Sequence, residues 1–307
     1  MEGEVGMRVA VLGLGSMGAG MAASLRQTGH TVTGFDVVDA SRNAFAAGGG
    51  TAATSAAEAA KGADAVVSVV VNASQTEALL FGEGGVAAAM QAGAVFVSCA
   101  TMDPDAARSL AARLEASGQH YLDAPMSGGP ARAATGELTV MASGSAAAFG
   151  QARPVLDAIA AKVYELGDAA GAGAAFKMIN QLLAGVHIAA ACEAISFAAK
   201  QGLDLKRVYE VITASAGNSW MFENRVPHVL DGDYAPKSAV EIFVKDLGIV
   251  QDMARRERFP VPVSAAALQM FLAAAGAGMG REDDASLARV YASLSGATLP
   301  KSDGTKE

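Results

Sequence analysis

Cysteine, histidine and runs of basic residues are scarce in this chain of 307 residues. Its two cysteines, Cys99 and Cys192, lie far apart and form no CxxC pair, which indicates reduced thiols rather than a disulfide framework. The four histidines lack the spacing of a metal-binding motif, so no metal site is expected. No basic run exceeds the pair at 255–256 and the net charge is −8, which argues against a nucleic-acid partner or an anionic membrane surface.

An uninterrupted apolar run long enough to cross a membrane is also missing. The longest apolar stretch, 182–199, contains Gly185, His187 and Glu193, so it favours a buried helix over a membrane span. The first residues, MEGEVGM, are acidic and lack the basic and apolar segments of a signal peptide. Together with the reduced thiols, these features predict a cytoplasmic protein.

What the chain does have is apolar strand-like segments that alternate with alanine-rich helical ones. The hydrophobic share of 51% and the charged share of 18% are typical of a globular protein, and the length suits two domains. Strands are predicted at 7–15, 31–36, 64–71, 94–99 and 119–125, with a helix at 16–29. Strands of this kind with helices between them predict an α/β domain with a parallel sheet covered on both faces. Two later segments, 139–144 and 162–166, are expected to extend that sheet.

The periodicity becomes helical from about Gly173 and remains so to about Leu294. The glycine-rich turn GDAAGAG, 167–173, is the expected boundary, which gives domains at 1–170 and 171–307. A long helix is predicted over about 174–200. The second domain is therefore predicted to be all-helical, and its last residues, KSDGTKE, are expected to be frayed.

The motif GLGSMG, 13–18, follows a predicted strand and opens a predicted helix, as a dinucleotide-binding fingerprint requires. Gly13 permits a tight turn, Gly15 lets the backbone approach a diphosphate, and Gly18 lets the helix and strand pack closely. The diphosphate would lie at the helix N-terminus, where the N–H groups and the helix dipole favour anions. The alternative is an ordinary strand–helix turn without a ligand.

Asp36, at the end of the second predicted strand, favours a dinucleotide-binding loop over an ordinary turn. A carboxylate there accepts hydrogen bonds from ribose hydroxyls and repels a 2′-phosphate, so the predicted cofactor is NAD rather than NADP. Arg42 is expected to lie too far past Asp36 to reverse this preference. Thr101 and Asn72 follow two other strands, at the sheet edge where such folds bind ligands, although Thr101 could instead cap a helix. The cofactor-binding residues predicted from these patterns are Gly13, Leu14, Gly15, Ser16, Met17, Gly18, Asp36, Asn72 and Thr101.

Two further segments suit a substrate acid. In DAPMSGG, Ser127 offers a hydroxyl, and Gly128 and Gly129 offer unobstructed N–H groups, which together could hold a carboxylate; a generic loop is the alternative. Lys177 is the one lysine near the start of a long apolar helix, with Gln181 one turn further on the same face. A desolvated lysine has a lowered pKa and can exchange a proton with a hydroxyl, whereas a lysine that reaches solvent would have no such role.

Four ordered motifs carry a resemblance that covers nearly the whole chain: GLGSMGAGM, DAPMSGG, GAGAAFKMINQLL and FVKDLG. In this order and spacing they resemble the β-hydroxyacid dehydrogenase family, which includes 3-hydroxyisobutyrate dehydrogenase and tartronate semialdehyde reductase. The stretch AGNSWMFENRVPHVLDGDY, 216–234, is most similar to the L-threonate dehydrogenase branch of the family.

The resemblance implies a doubly wound Rossmann domain, a long interdomain helix and an all-helical C-terminal domain. It implies that Lys177 is the catalytic acid/base, that Ser127, Gly128 and Gly129 bind the substrate carboxylate, and that Thr101 and Lys245 contact the cofactor. For Lys245, the alternative is a surface lysine paired with Asp246. The family's usual catalytic asparagine stands four residues after the lysine, where this chain has Gln181. Gln181 keeps the amide with one more methylene, which suits a larger polyhydroxy acid.

The predicted activity is therefore NAD-dependent oxidation of a short hydroxy acid, L-threonate being the first choice, to a 2-oxo acid. The alternatives are activity like that of 3-hydroxyisobutyrate dehydrogenase or tartronate semialdehyde reductase, and a catalytically silent NAD-binding module. Asn180, Asn218 and Phe222 are further substrate-binding candidates; Trp220 could line the same pocket, although a tryptophan more often belongs to the core. Apolar helix faces and the resemblance both predict a homo-oligomer, a dimer or a tetramer.

Overall fold

A computed structural model of the chain describes residues 6–302. The expectations for the two ends of the chain concern MEGEVGM and KSDGTKE. Residues 1–5 and 303–307 of these segments lie outside the described residues, so those expectations remain predictions. The described residues divide into two compact units, with the boundary between Lys177 and Met178.

The first unit is an α/β unit with two sheets. Its strands are β1 (Arg8–Leu12), β2 (Thr31–Phe35), β3 (Thr51–Ala52), β4 (Ala65–Ser68), β5 (Val95–Ser98), β6 (His120–Asp123), β7 (Met126–Ser127), β8 (Leu138–Ala142) and β9 (Ala160–Glu165). Its helices are α1 (Ser16–Gln27), α2 (Asp39–Ala47), α3 (Ala56–Ala60), α4 (Ala73–Phe81), α5 (Pro104–Glu115), α6 (Gly129–Thr135) and α7 (Ala146–Ile159).

Six strands form one sheet in the order β3-β2-β1-β4-β5-β6, and every pair is parallel. All four residues of β4 and of β5 are buried, because helices cover both faces and leave no solvent-facing side for polar residues. The strand order reverses between β1 and β4. The loops that follow these two strands therefore lead to opposite faces, which is where such sheets bind ligands. The predicted parallel sheet is confirmed.

The prediction that 139–144 and 162–166 extend this sheet is wrong. They form β8 and β9 of a separate three-stranded sheet in the order β7-β8-β9, in which β7 pairs antiparallel with β8. The chain passes through Pro125 after β6, and proline has no N–H to donate to a strand ladder. Only an isolated bridge, Asp123 to Ser143, joins β6 to the segment after β8. The two-residue strands β3 and β7 are too short to leave a periodic pattern in the sequence.

The second unit is helical, as predicted. Its helices are α8 (Ala172–Lys200), α9 (Leu205–Thr213), α10 (Trp220–Asp231), α11 (Val240–Glu257), α12 (Pro262–Ala274) and α13 (Leu287–Ser295); α8 starts in the first unit. No strand occurs in the described residues 178–302. Ile188 and Ile195 of α8 are fully buried in its core, which also includes the stacked rings of Phe243 and Phe271, 5.2 Å apart. Burial of these side chains supplies the main stabilising term of the unit.

Two helical segments of the described chain, Ala172–Lys200 and Pro262–Met279, are long and apolar enough to cross a membrane by length and composition alone. Half of the most apolar window of the first is buried inside the protein, as in the core helix of a globular fold. Since core helices pass the same test, the two segments are weak evidence for a membrane span.

Candidate active site

The glycine-rich loop 13–18 joins β1 to α1, and each glycine has a distinct geometric reason. Gly13 has a φ of +97°, and a Cβ there would stand 2.6 Å from the Val69 carbonyl oxygen. A Cβ on Gly18 would stand 1.8 Å from the Gly13 carbonyl oxygen, so helix and turn could not pack. Gly15 differs, because a Cβ there would meet nothing within 4 Å. Packing within the protein therefore does not explain why a glycine stands at position 15.

Gly15 is the N-cap of α1 and brings no side-chain acceptor to the first turn. The side chain of Leu14 is buried and that of Met17 packs against the core, whereas Gly15 and Ser16 are exposed. The loop thus presents backbone and a serine hydroxyl at an open helix N-terminus. This arrangement is a fitting cradle for a diphosphate.

Asp36 follows β2, and its carboxylate accepts a hydrogen bond from the Leu14 N–H at 2.6 Å and another from the Val38 N–H at 2.8 Å. The side chain therefore connects the glycine-rich loop to the end of β2. Arg42 lies close to Asp36, because its guanidinium donates to the Asp36 carbonyl oxygen. Arg42 also pairs with the exposed Asp39 carboxylate.

Asn72 and Thr101 lie past the ends of β4 and β5, at the same sheet edge as the glycine-rich loop. The Asn72 side chain caps α4 by accepting from the Gln75 N–H at 2.9 Å. The cap of α5 is Asp103, whose carboxylate accepts from the Asp105 N–H. Thr101 is therefore not the helix cap that the sequence offered as an alternative, and it lies partly buried between β5 and that cap.

The Ser-Gly-Gly turn connects β7 to α6. Ser127 ends β7, Gly128 is the N-cap of α6 with a φ of +139°, and Gly129 follows with a φ of +76°. Both φ values lie in the region that side-chain-bearing residues avoid, so this turn requires glycines. All three residues are partly exposed, which leaves their N–H groups and the serine hydroxyl accessible to an acid.

Lys177 lies in the second turn of α8 and is buried, with 7% of its surface exposed. Its Nζ donates to the Met126 carbonyl oxygen at 2.8 Å, immediately before Ser127. The alternative of a lysine that reaches solvent is therefore wrong. A buried lysine amino group beside a partly exposed Ser-Gly-Gly turn is the arrangement that the predicted proton exchange needs, because the lysine and the bound acid would be neighbours.

Gln181 lies four residues further along α8, on the same helix face as Lys177, and is equally buried at 7%. Its Nε2 donates to Asp246 Oδ2 at 2.5 Å, and its Oε1 accepts from Asn180 Nδ2 at 2.9 Å. Asp246 on α11 is 1% exposed and also forms an ion pair with Lys245, whose Nζ lies 2.7 Å from Oδ1. The amide of Gln181 is therefore held in one orientation from both ends.

The sequence indicates Asp246 only as a partner of Lys245, not as a partner of Gln181. The motif FVKDLG places an acid beside Lys245, and that pairing was foreseen as an alternative for the lysine. Nothing in the spacing identifies Gln181 as the second partner, because the two residues are 65 positions apart. Only the packing of α8 against α11 brings them together.

The remaining substrate candidates lie around the start of α10. Asn218 donates to the Thr213 carbonyl oxygen at 3.2 Å and to Glu223 Oε1. Phe222 is 4% exposed and stacks on Tyr209 in the helical core. Trp220, expected in the core, is instead 53% exposed at the first position of α10. For Asn218 and Phe222, substrate contact remains a prediction.

Known proteins match the chain along nearly its whole length. Residues 8–167 match the family profile for the NAD binding domain of 6-phosphogluconate dehydrogenase, and residues 171–291 match the profile for NAD-binding of NADP-dependent 3-hydroxyisobutyrate dehydrogenase. A protein of Cupriavidus necator named L-threonate dehydrogenase is 54% identical over 283 residues, which are 92% of this chain and 95% of that protein. The chain belongs to the β-hydroxyacid dehydrogenase family.

Solved structures of the family have the same fold. A crystal structure described as 3-hydroxyisobutyrate dehydrogenase from Salmonella typhimurium is 50% identical, with a TM-score of 0.88 over 92% of this chain and 99% of that one. The 3-hydroxyisobutyrate dehydrogenase of Mycobacterium tuberculosis, solved with L-serine, is 32% identical, with a TM-score of 0.81 over 93% of this chain and 99% of that one. The predicted fold class is confirmed.

Membership in this family makes the chain an NAD-dependent dehydrogenase of hydroxy acids, so the alternative of a catalytically silent module is not retained. The residues present fit the cofactor. Open space at Gly15, the uncapped N-terminus of α1 and the carboxylate of Asp36 are the features that a diphosphate and a ribose diol require.

Proposed function

We propose that the enzyme oxidises L-threonate to the corresponding 2-oxo acid, with Lys177 as the acid/base. The observation that carries the proposal is the buried Lys177 amino group, 2.8 Å from the Met126 carbonyl oxygen and thus next to the Ser-Gly-Gly turn. The relative named L-threonate dehydrogenase, at 54% identity, supports this choice of substrate.

Each group has a chemical task in this proposal. NAD supplies the hydride acceptor when it is bound at the glycine-rich loop. Ser127, Gly128 and Gly129 hold the substrate carboxylate through the hydroxyl and backbone N–H groups. Lys177, as the neutral amine, takes the proton of the substrate hydroxyl and becomes the ammonium, a contribution that is typically about 10²- to 10⁴-fold in rate. The Gln181 amide, oriented by Asp246, donates to the same oxygen as it becomes a carbonyl.

The cofactor is held by the loop 13–18 and by Asp36, with Asn72, Thr101 and Lys245 as further contacts. Asn180, Asn218 and Phe222 are assigned to the substrate side. In this assignment residues 1–170 form the cofactor-binding domain, and residues 171–307 form the domain for substrate specificity and oligomerisation. The α8 segment from Lys177 to Gln181 contributes the acid/base and the amide.

A second candidate is oxidation of 3-hydroxyisobutyrate, or reduction of a semialdehyde such as tartronate semialdehyde by the same groups in reverse. The Salmonella typhimurium structure described as 3-hydroxyisobutyrate dehydrogenase, at 50% identity, favours including it. The replacement of the family's asparagine by Gln181 supports a larger polyhydroxy acid, because the longer side chain changes the position of the amide.

A substrate panel tests the proposal. Purified enzyme with NAD is assayed by NADH absorbance on L-threonate, D-threonate, D-erythronate, 3-hydroxyisobutyrate, L-serine and glycerate, and the results are compared as kcat/KM. We expect L-threonate to exceed the other acids by at least about 10²-fold, since unpaired polar groups in a site reject analogues that lack or misplace a hydroxyl. A kcat/KM for 3-hydroxyisobutyrate equal to or above that for L-threonate would overturn the choice of substrate.

We also propose that the enzyme is a cytoplasmic homo-oligomer without a membrane or nucleic-acid partner. Phe176, Ile179 and Leu183 lie at positions i, i+3 and i+7 of α8, and each is about half exposed or more. An apolar stripe of this kind on a helix favours contact with another copy of the chain. Light scattering coupled to gel filtration measures the mass directly, and a monomer at micromolar concentration would refute the assembly.

A further inference from the structure

The DAPMSGG motif contains an acid, Asp123, to which the proposed chemistry gives no role. Asp123 ends β6, is 1% exposed, and is the one buried carboxylate among the described residues of the first unit. A buried carboxylate is costly unless hydrogen bonds compensate for the lost water. The groups that donate hydrogen bonds to this carboxylate indicate the role of Asp123.

One oxygen of this carboxylate accepts hydrogen bonds from backbone N–H groups at the start of α8. Asp123 Oδ2 accepts from the Gly171 N–H at 2.9 Å, from the Ala174 N–H at 2.8 Å and from the Ser143 hydroxyl at 3.3 Å. An anion at a helix N-terminus is favoured both by the open N–H groups and by the helix dipole. Burial nevertheless raises the pKa of Asp123 to about 6, and the two backbone N–H groups oppose that rise.

Ser143, immediately after β8, also holds the start of α8. Its hydroxyl oxygen accepts from the Gly173 N–H at 2.9 Å, and its backbone exchanges two hydrogen bonds with Asp123, at 3.0 and 2.8 Å. The first turn of α8 lies directly against β8, since a Cβ on Gly173 would stand 2.3 Å from the Met141 carbonyl oxygen. Three backbone N–H groups around the start of α8, those of Gly171, Gly173 and Ala174, are thus tied to β6 and to the segment after β8.

We propose that Asp123 is a positioning residue, whose buried carboxylate holds the first turn of α8 and so sets where the Lys177 ammonium lies relative to the Ser-Gly-Gly turn. Ala174, bonded to Asp123, lies one turn before Lys177 on the same helix face. The acid and the turn belong to one motif, since Asp123 ends β6 four residues before Ser127 in DAPMSGG. The motif therefore holds the substrate acid at one end and fixes the lysine's helix at the other.

This inference rests on the proposed role of Lys177, and it is tested with Asp123→Ala and Asp123→Asn in the full-length enzyme. A displacement of about 1 Å in a reacting group can cost about 10²-fold in rate. We expect Asp123→Ala to lower kcat by about 10- to 100-fold, with the KM for NAD within about twofold of wild type. Asp123→Asn keeps one acceptor oxygen, so it should recover most of the lost kcat. The matched control is Asp204→Ala, which removes the same kind of cap, bonded to the Lys206 and Arg207 N–H groups, from α9.

Hydrogen exchange tests the hold of Asp123 on α8 independently of enzyme activity. Asp123→Ala should speed deuterium uptake in a peptide that covers 168–178 and leave a peptide over α9 unchanged; Asp204→Ala should do the reverse. The measurement needs no substrate, so it retains its meaning even if the panel shows that L-threonate is not oxidised. If Asp123→Ala does not fold, Ser143→Ala and Asp123→Asn give the same two readouts with smaller changes. Unchanged exchange, or faster exchange with wild-type kcat, would overturn the proposal.

Discussion

The glycine-rich loop and the Gln181 network are both proposed to orient a ligand, but they are built from different kinds of information. The loop consists of consecutive residues, and its partner Asp36 lies only 22 positions from Leu14. In the network, Gln181 and its partner Asp246 are 65 positions apart on two helices. A local turn can be recognised as a pattern, whereas a side-chain pair of high sequence separation exists only after the helices have packed. The difference shows that family motifs can identify residues such as Gln181 and Asp246 separately, but not the hydrogen bond that joins them.

Lys177→Ala is expected to have the largest effect, because it removes the proposed proton acceptor itself. We expect kcat on L-threonate to fall by about 10³-fold or more while the Kd for NAD, measured by fluorescence titration, stays within about twofold. Lys200→Ala, an exposed lysine in the last turn of the same helix, is the control and should leave both quantities unchanged. A Lys177→Ala enzyme with more than a tenth of wild-type kcat would remove the lysine from the chemistry.

Asp246→Asn comes next and tests whether a partner 65 positions from Gln181 matters as much as the residues of a local turn. The neutral amide no longer accepts strongly from Gln181, and it weakens the ion pair with Lys245, so both side chains gain freedom. We expect kcat/KM for L-threonate to fall by about 10- to 100-fold. Asp252→Asn, on the exposed side of the same helix, should change nothing. If the two variants behave alike, the orientation of Gln181 by Asp246 is not part of catalysis.

Gly15→Ala and Gly18→Ala sharpen the comparison within the loop and have the smallest expected effect on turnover. A methyl on Gly15 meets open space in the protein, so the Tm without NAD should be unchanged while the Kd for NAD rises about tenfold. A methyl on Gly18 collides with the Gly13 carbonyl, so the apo protein should lose about 1–3 kcal/mol and its Tm should fall. A lower apo Tm for Gly15→Ala would show that this glycine serves packing rather than the cofactor.

The parts of the structure that the sequence predicted correctly are those with a local signature. β1, β2, β4, β5 and β6 lie within the apolar segments assigned to them, and α8 begins two residues before its predicted start. The separate sheet β7-β8-β9 was missed because strands carry no mark of which neighbour they pair with. The exposure of Trp220 was missed for a related reason, since a large aromatic side chain does not reveal which face of its helix is covered.

By itself, the sequence determined the alternation of strands and helices, the turns that require Gly13, Gly128 and Gly129, and the residue types available for chemistry. These depend on backbone sterics and on periodicity, which act over a few residues. Only the tertiary structure decided that Lys177 is buried beside Met126, that Asp246 orients Gln181, and that Asp123 holds the start of α8. Burial and long-range hydrogen bonds arise when distant segments exclude water from each other, and no local pattern records which segments these are.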